Sequence, residues 1–295
     1  MLKKKYFLEK GLFMDKDIAQ AIRSALSASE GLRLFSPADV SAFEGRHTTS
    51  RSGGAVEFLD HRAYRQGDPL QHIDWRLYAR NEQLMVRRFA REAALLCDVI
   101  IDGSASMGFY GKDAAAAGTA ALFAQSALNG GYSLQTWFLG ETPVKVCPPE
   151  TPSRWELPSF DGREEILSLL QQSGSGFFRN GVKIFISDLL FETPPEKIME
   201  ILGTKNCILV QLLGTEELFP EAAGAVTLTD PESGAVKTLH ADAEMLRRYK
   251  EKLTRFQFSW EETVTRCGSR IFFFNAAEML KTWNMQSFCQ NGVLQ

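Results

Sequence analysis

Several classes of protein are excluded by what this 295-residue chain lacks. It has no run approaching the ~20 apolar residues of a helical membrane crossing, so no membrane span is expected. It has no strong excess of either charge: 33 Lys+Arg stand against 36 Asp+Glu, a net −3. General affinity for nucleic acid or for an anionic membrane is therefore not expected. Five cysteines, Cys97, Cys147, Cys207, Cys267 and Cys289, are scattered without a C-x-x-C pair or a histidine cluster beside them. That spacing carries neither a zinc site nor a disulfide framework and predicts free thiols. No phosphate-binding G-x-x-x-x-G-K-[ST] or G-x-G-x-x-G follows a predicted strand, so no nucleotide cofactor is expected. The basic start MLKKKYFLEK is interrupted by Glu9 and Lys10 where a signal peptide would need its apolar region. The chain accordingly reads as cytoplasmic.

What is present is an ample apolar complement, 44% of residues, arranged in short buried runs that alternate with amphipathic ones. The organising stretch is Leu95 to Gly108. Leu95, Leu96, Val99, Ile100 and Ile101 form a run rich in β-branched residues, as a central parallel strand covered on both faces requires. It ends abruptly in Asp102-Gly-Ser104-Ala-Ser106. An alanine-rich helix over 113–128 stops at Asn129-Gly130-Gly131, and strands follow at 132–139 and 144–147. Further strands are expected at 182–186, 207–213 and 270–274, with helices at 163–172, 194–202 and 276–283. Asp230-Pro-Glu-Ser-Gly234 joins two short apolar runs in a hairpin. Leu246, Tyr249, Leu253, Phe256, Trp260 and Val264 recur at helical spacing and mark one long helix with a core-facing stripe. The alternation specifies an α/β fold, a doubly wound, mostly parallel sheet of Rossmann-like type over 92–295.

Residues 1–91 read as an extension. A helix is expected over 15–30, a polar loop over 45–54, and strands at 55–59 and 84–89. Between Arg46 and Arg91 there are nine arginines and no lysine, interleaved with Asp60, Asp68, Asp74, Trp75 and Tyr78. Arginine's planar fork suits carboxylates and stacks on rings, so a packed polar network is expected here, with a docking face for an acidic segment as its rival reading.

Asp102, Ser104 and Ser106 lie at the carboxyl end of a strand, where ligands bind in such sheets, and all-oxygen donors suit a hard cation. The motif resembles the metal-ion-dependent adhesion site of von Willebrand factor A domains. The run from Tyr64 through Gly67-Asp68-Pro69 and Asp74-Trp75 to Ala79-Arg80 resembles the signature of the family catalogued as domain of unknown function 58. The first resemblance implies a von Willebrand factor A-like fold. Its cation site, for Mg2+ or Mn2+, would be completed by a threonine from a second loop and an acid from a third. Asp188, closing the strand at 182–186, is placed for the acid; Ser159, or Asp161, stands where the threonine is missing. The expected ligand set is then Asp102, Ser104, Ser106, Asp188 and Ser159, with an open position for a carboxylate of a protein partner. The family resemblance further implies a non-enzymatic adaptor working beside a MoxR-type AAA+ ATPase in protein assembly or maturation.

Two rival readings share these residues. Ser104 and Ser106 would serve equally well to cap the following turn, with Asp102 bonded to backbone amides. Alternatively, Ser104-Ala-Ser106-Met-Gly108 is one residue away from the G-x-S-x-G elbow, which would make Ser106 the nucleophile of a serine hydrolase with Asp188 and His240. Against the hydrolase, Asp102 would set a negative charge where an oxyanion forms.

Overall fold

The computed structural model describes residues 14–35, 56–65, 68, 70–91, 95–177, 181–203, 206–221 and 224–295. The loop expected at 45–54 lies outside them. The chain divides into two compact units, one formed by Met1–Ser36 with Leu96–Gln295 and the other by Pro37–Leu95.

In the larger unit six strands form one sheet. They are β3 (Leu96–Asp102), β4 (Ser133–Leu139), β5 (Pro143–Lys145), β6 (Val182–Ser187), β7 (Cys207–Leu213) and β10 (Arg270–Asn275), in the order β10-β7-β6-β3-β4-β5. All neighbours are parallel except β5, which pairs antiparallel with the edge of β4. Every residue of β6 and β7 is buried, as a strand covered on both faces demands. From β3 the chain first moves outward to β4 and later returns to the other side of β3 as β6. The order thus reverses between β3 and β6, and a crevice opens at their carboxyl ends.

Helices cover both faces, as the alternating pattern predicts. On one face lie α1 (Met14–Ala28), α3 (Lys112–Asn129) and α8 (Ala276–Thr282). The small side chains of α3 let its neighbours approach closely: a Cβ on Gly118 would meet the Trp283 ring at 2.1 Å. On the other face α4 (Ile166–Gly174), α5 (Pro195–Leu202) and α7 (Ala243–Arg266) pack Leu169, Leu170, Ile198, Leu202, Trp260 and Val264 against Ile100, Phe185 and Leu209. Each fully buried aliphatic side chain here stabilises the fold by about 1.5–3 kcal/mol. Short helices α6 (Thr215–Leu218) and α9 (Gln286–Gln290) complete the unit. The chain is also clasped near its two extremes: Arg33 and Gln295 exchange backbone hydrogen bonds of 2.7 and 3.0 Å, and Phe35 donates to Val293 at 2.9 Å.

One expectation for this unit changes. The α7 stripe is fully buried only at Trp260 and Val264, while Leu246, Tyr249, Leu253 and Phe256 are half-buried. The first turns of α7 lie beside a thin hairpin of β8 (Gly224–Thr229) and β9 (Val236–Ala241) instead of beneath a full layer.

In the smaller unit β1 (Val56–Ala63) and β2 (Met85–Arg91) pair antiparallel around a bulge between Phe58 and Asp60. Sequence periodicity missed α2 (Trp75–Asn81), whose start is fixed by the Asp74 carboxylate accepting from the amides of Arg76 and Leu77, both at 3.0 Å. The expected Arg–acid pairing is present: Arg62 grips Asp68 through two bonds of 2.8 and 2.6 Å, and His61 meets Asp74 at 2.9 Å. The aromatic part of the expected network is not packed, for Trp75 is 57% exposed and its edge-on partner Tyr78 is 39% exposed.

Candidate functional site

Three loops meet backbone to backbone at the carboxyl end of the sheet. Gly103 donates to the Leu139 carbonyl at 2.9 Å, Gly162 donates to the Gly103 carbonyl at 3.1 Å, and Ala105 donates to the Gly162 carbonyl at 2.7 Å. No side chain would fit there. A Cβ on Gly162 would lie 2.8 Å from the Gly140 carbonyl carbon, and one on Gly103 would lie 2.3 Å from the Phe138 ring. This contact holds the turn from Ser104 to Gly108 rigidly beyond β3.

Asp102, the last residue of β3, is buried. Its carboxylate accepts from the Ser104 amide at 2.9 Å and from the Ser187 hydroxyl, at the tip of β6, at 2.6 Å. The hydroxyls of Ser104 and Ser106 are 3.1 Å apart. Asp188 is also buried and turns with its loop: its carboxylate accepts from the Leu190 amide at 3.0 Å, while Gln211 donates to its carbonyl at 2.8 Å. Asp102 and Asp188 are close enough to repel. Burial first, and the Asp188 charge second, push the Asp102 carboxyl up to about 6, against the lowering influence of the Ser187 and Ser104 donors.

Lys112, at the first turn of α3, is fully buried, with its ammonium 2.9 Å from Asp188 and 2.6 Å from Glu217. A lysine there opposes the helix dipole, so the two carboxylates are what hold it. They raise its pKa even though desolvation, the largest influence, acts to lower it. Glu217 is itself fixed by the Gly214 amide, at 2.7 Å. The hairpin between β8 and β9 brings a further acid. Burial first, and the Asp188 charge second, raise the pKa of the Glu232 carboxyl.

Of the five expected ligands, the structure brings together Asp102, Ser104, Ser106 and Asp188. Ser159 is exposed, and among the described residues no hydrogen bond joins its side chain to the other four. Its loop meets the Asp102 loop through Gly162 instead. Lys112, Ser187, Glu217 and Glu232 were not singled out as site residues from the sequence. Lys112 left one signal, a lysine opening a helix whose next turn is Asp113 followed by a run of alanines. His240 lies exposed on β9, and among the described residues no hydrogen bond links it to Ser106. Among the described residues the Ser106 hydroxyl is hydrogen-bonded to the Ser104 hydroxyl and to no histidine, which gives the hydrolase reading no support.

Among the described residues no group of three or more His, Cys, Asp or Glu is arranged to hold a metal, so any cation here must use hydroxyls. The donors fit one. Adjacent ligands of an octahedral Mg2+ at about 2.1 Å stand about 3 Å apart, which matches the Ser104–Ser106 separation. Asp188 and Glu217 share the Lys112 ammonium, while Asp102 takes its hydrogen bonds from the Ser104 amide and the Ser187 hydroxyl, both neutral.

Fold and site together define a doubly wound α/β domain with an acidic, hydroxyl-lined crevice at the reversal of strand order. Residues 60–258 match the family described as "Protein of unknown function DUF58", and the chain belongs to that family. No curated protein matches it. One similar solved structure is described as "an aerotolerance-related membrane protein from Bacteroides fragilis NCTC 9343 with multiple mutations to serines". It is 12% identical, with a TM-score of 0.35, over 64% of this chain and 96% of that one. At that level of similarity it informs neither fold nor function. Among the described residues no helix is long and apolar enough to cross a membrane.

Proposed function

We propose that this chain is a non-enzymatic protein-interaction module that uses a divalent cation, Mg2+ or Mn2+, to recognise a carboxylate on a partner protein. Ser104 and Ser106 would bind the ion directly, while Asp102 and Asp188 would hold its water ligands. When bound, the ion supplies a positive centre able to accept a partner's acidic side chain. The observation that carries the reading is the pair of hydroxyls at octahedral spacing beside two buried acids, of which Asp188 is paired with Lys112 and Asp102 is bonded to neutral donors. The surrounding surface supports it. Tyr110, Leu190 and Phe219, each shortly downstream of a site residue, are 38%, 46% and 67% exposed. Large apolar side chains at the rim of a polar centre are what a docking face offers.

The partner implied by the family resemblance is a MoxR-type AAA+ ATPase, for which the chain would act as an adaptor in assembly or maturation. Calorimetry tests the cation: Mn2+ is expected to bind the full chain and to fail to bind Asp102→Ala. Heat of binding unchanged by that substitution would refute the site. Co-purification with a MoxR-type ATPase, lost on adding chelator and in Asp102→Ala, tests the partner.

A further inference from the structure

The helix α2 of the smaller unit is fastened mainly at its start. The buried Ile73 bridges to the buried Val86 of β2, the Asp74 amide donates to the Met85 carbonyl at 2.9 Å, and the Asp74 carboxylate caps the first turn. Of the helical residues Trp75–Asn81 only Leu77 is half-buried; the rest are exposed.

Those exposed residues are neither random nor scattered. At about 100° per residue, Tyr78, Trp75, Ala79, Arg76 and Arg80 follow one another around the helix and form one continuous face. Trp75 and Tyr78 meet edge-on, with ring centroids 6.2 Å apart at 87°. Arg76 and Arg80, four positions apart, project side by side. Arg62 is held by Asp68, but Arg76 and Arg80 make no ion pair among the described residues. Trp, Tyr and Arg are the residue types that carry most of the energy in protein interfaces. Here they stand together in water with two uncompensated positive charges.

We infer that this face of α2 is a docking surface for an acidic segment of a partner protein, one whose carboxylates flank an apolar side chain. The guanidinium forks of Arg76 and Arg80 match carboxylates, and the rings of Trp75 and Tyr78 supply the apolar contact. A nucleic acid fits less well. The two rings are nearly perpendicular and give successive bases no parallel platform. Asp74 and Glu82 also stand at the two ends of α2, where a run of phosphates would meet them, whereas a short peptide can confine its acids to the middle. The surface lies in the smaller unit and needs no residue of the cation site.

The test probes the full chain with an array of short synthetic peptides in which acid content and the presence of a Phe or Leu are varied independently. Binding is expected to rise with acid content, to require the apolar residue and to fall in high salt. It should weaken about tenfold or more in Trp75→Ala and in the double variant Arg76→Glu, Arg80→Glu. All three side chains are exposed, so melting temperatures should match the wild type and exclude unfolding as the cause. Binding that is absent across the array, indifferent to acid content or unchanged in the variants overturns the inference. So does a single-stranded oligonucleotide that binds more tightly than any peptide, or dimerisation in sedimentation that Trp75→Ala abolishes, which would give the face to a second copy of the chain. Peptide binding that survives chelator supports the assignment to α2 even if the cation reading fails; binding that vanishes with chelator belongs to the cation site and overturns it.

Discussion

Strand β3 carries two buried aspartates, one near each edge of the sheet, and their surroundings differ in kind. Asp98, near the amino edge, accepts from the Trp137 indole at 3.2 Å and sits in register with Lys183, a buried lysine on β6. Register neighbours point their side chains to one face of a sheet. Asp102, at the carboxyl edge, has an amide and a hydroxyl as its donors and a second acid as its neighbour. The same residue type, equally buried on the same strand, is a fastening in one place and an unmet demand for positive charge in the other. Burial alone therefore does not mark a site; the sign and charge of the partners do.

Four measurements would break or sharpen this contrast. The largest effect is expected for Asp98→Ala, which strips a buried indole of its acceptor and removes the acid in register with a buried lysine, and should cost about 3–5 kcal/mol in denaturant unfolding. Asp102→Ala leaves the Ser104 amide and the Ser187 hydroxyl without their acceptor but relieves the repulsion with Asp188, so it should cost less, about 1–3 kcal/mol. Reversal of that order would end the comparison.

Next comes Lys112→Met, which leaves Asp188 and Glu217 without their ammonium and should destabilise by about 3 kcal/mol. Millimolar Mn2+ should restore part of the lost melting temperature in this variant, since a ligand bound only by the folded state stabilises it. No response to Mn2+ would argue that the acids need Lys112 itself and not positive charge in general. Gly162→Ala, which forces a methyl into the three-loop contact, is expected to cost about 2 kcal/mol and to weaken Mn2+ binding in calorimetry. An Mn2+ affinity equal to wild type would detach the site from its scaffold.

The smallest effect concerns the amino edge, where Cys207 is buried and its thiol donates to the Gly203 carbonyl at 3.1 Å. Burial pushes that thiol up to about 11. At pH 8 an alkylating reagent should modify the exposed Cys147 and Cys289 at least about ten times faster than Cys207. Comparable rates, read by peptide mass spectrometry, would show that this edge opens.

Much of the fold was legible because its signals are local. The apolar runs at Val182–Ser187 and Cys207–Leu213 needed only β-branched content and length to be read as buried strands. The helix at Trp75–Asn81 was missed because its capping residue, Asp74, was read as one member of an arginine network. The site was legible where it follows chain order: Asp102 and Asp188 each end a strand, and a doubly wound sheet brings such ends together. Lys112 pairs with acids 76 and 105 positions away, and the Ser187 hydroxyl reaches Asp102 across 85 positions. No periodicity records contacts of that kind.

The clasp between residues 33–35 and 293–295 has a bearing on how the molecule comes into being. Those partners are far apart in sequence, so residues 33–35 meet 293–295 only across the whole of the larger unit. Closing so long a loop carries only a slowly growing entropic cost, and chains of this size fold in stages. Docking of residues 33–35 on residues 293–295 is expected as a late step of folding, and pulse-labelling hydrogen exchange in refolding should find the amides of Arg33, Phe35 and Gln295 protected after those of the sheet.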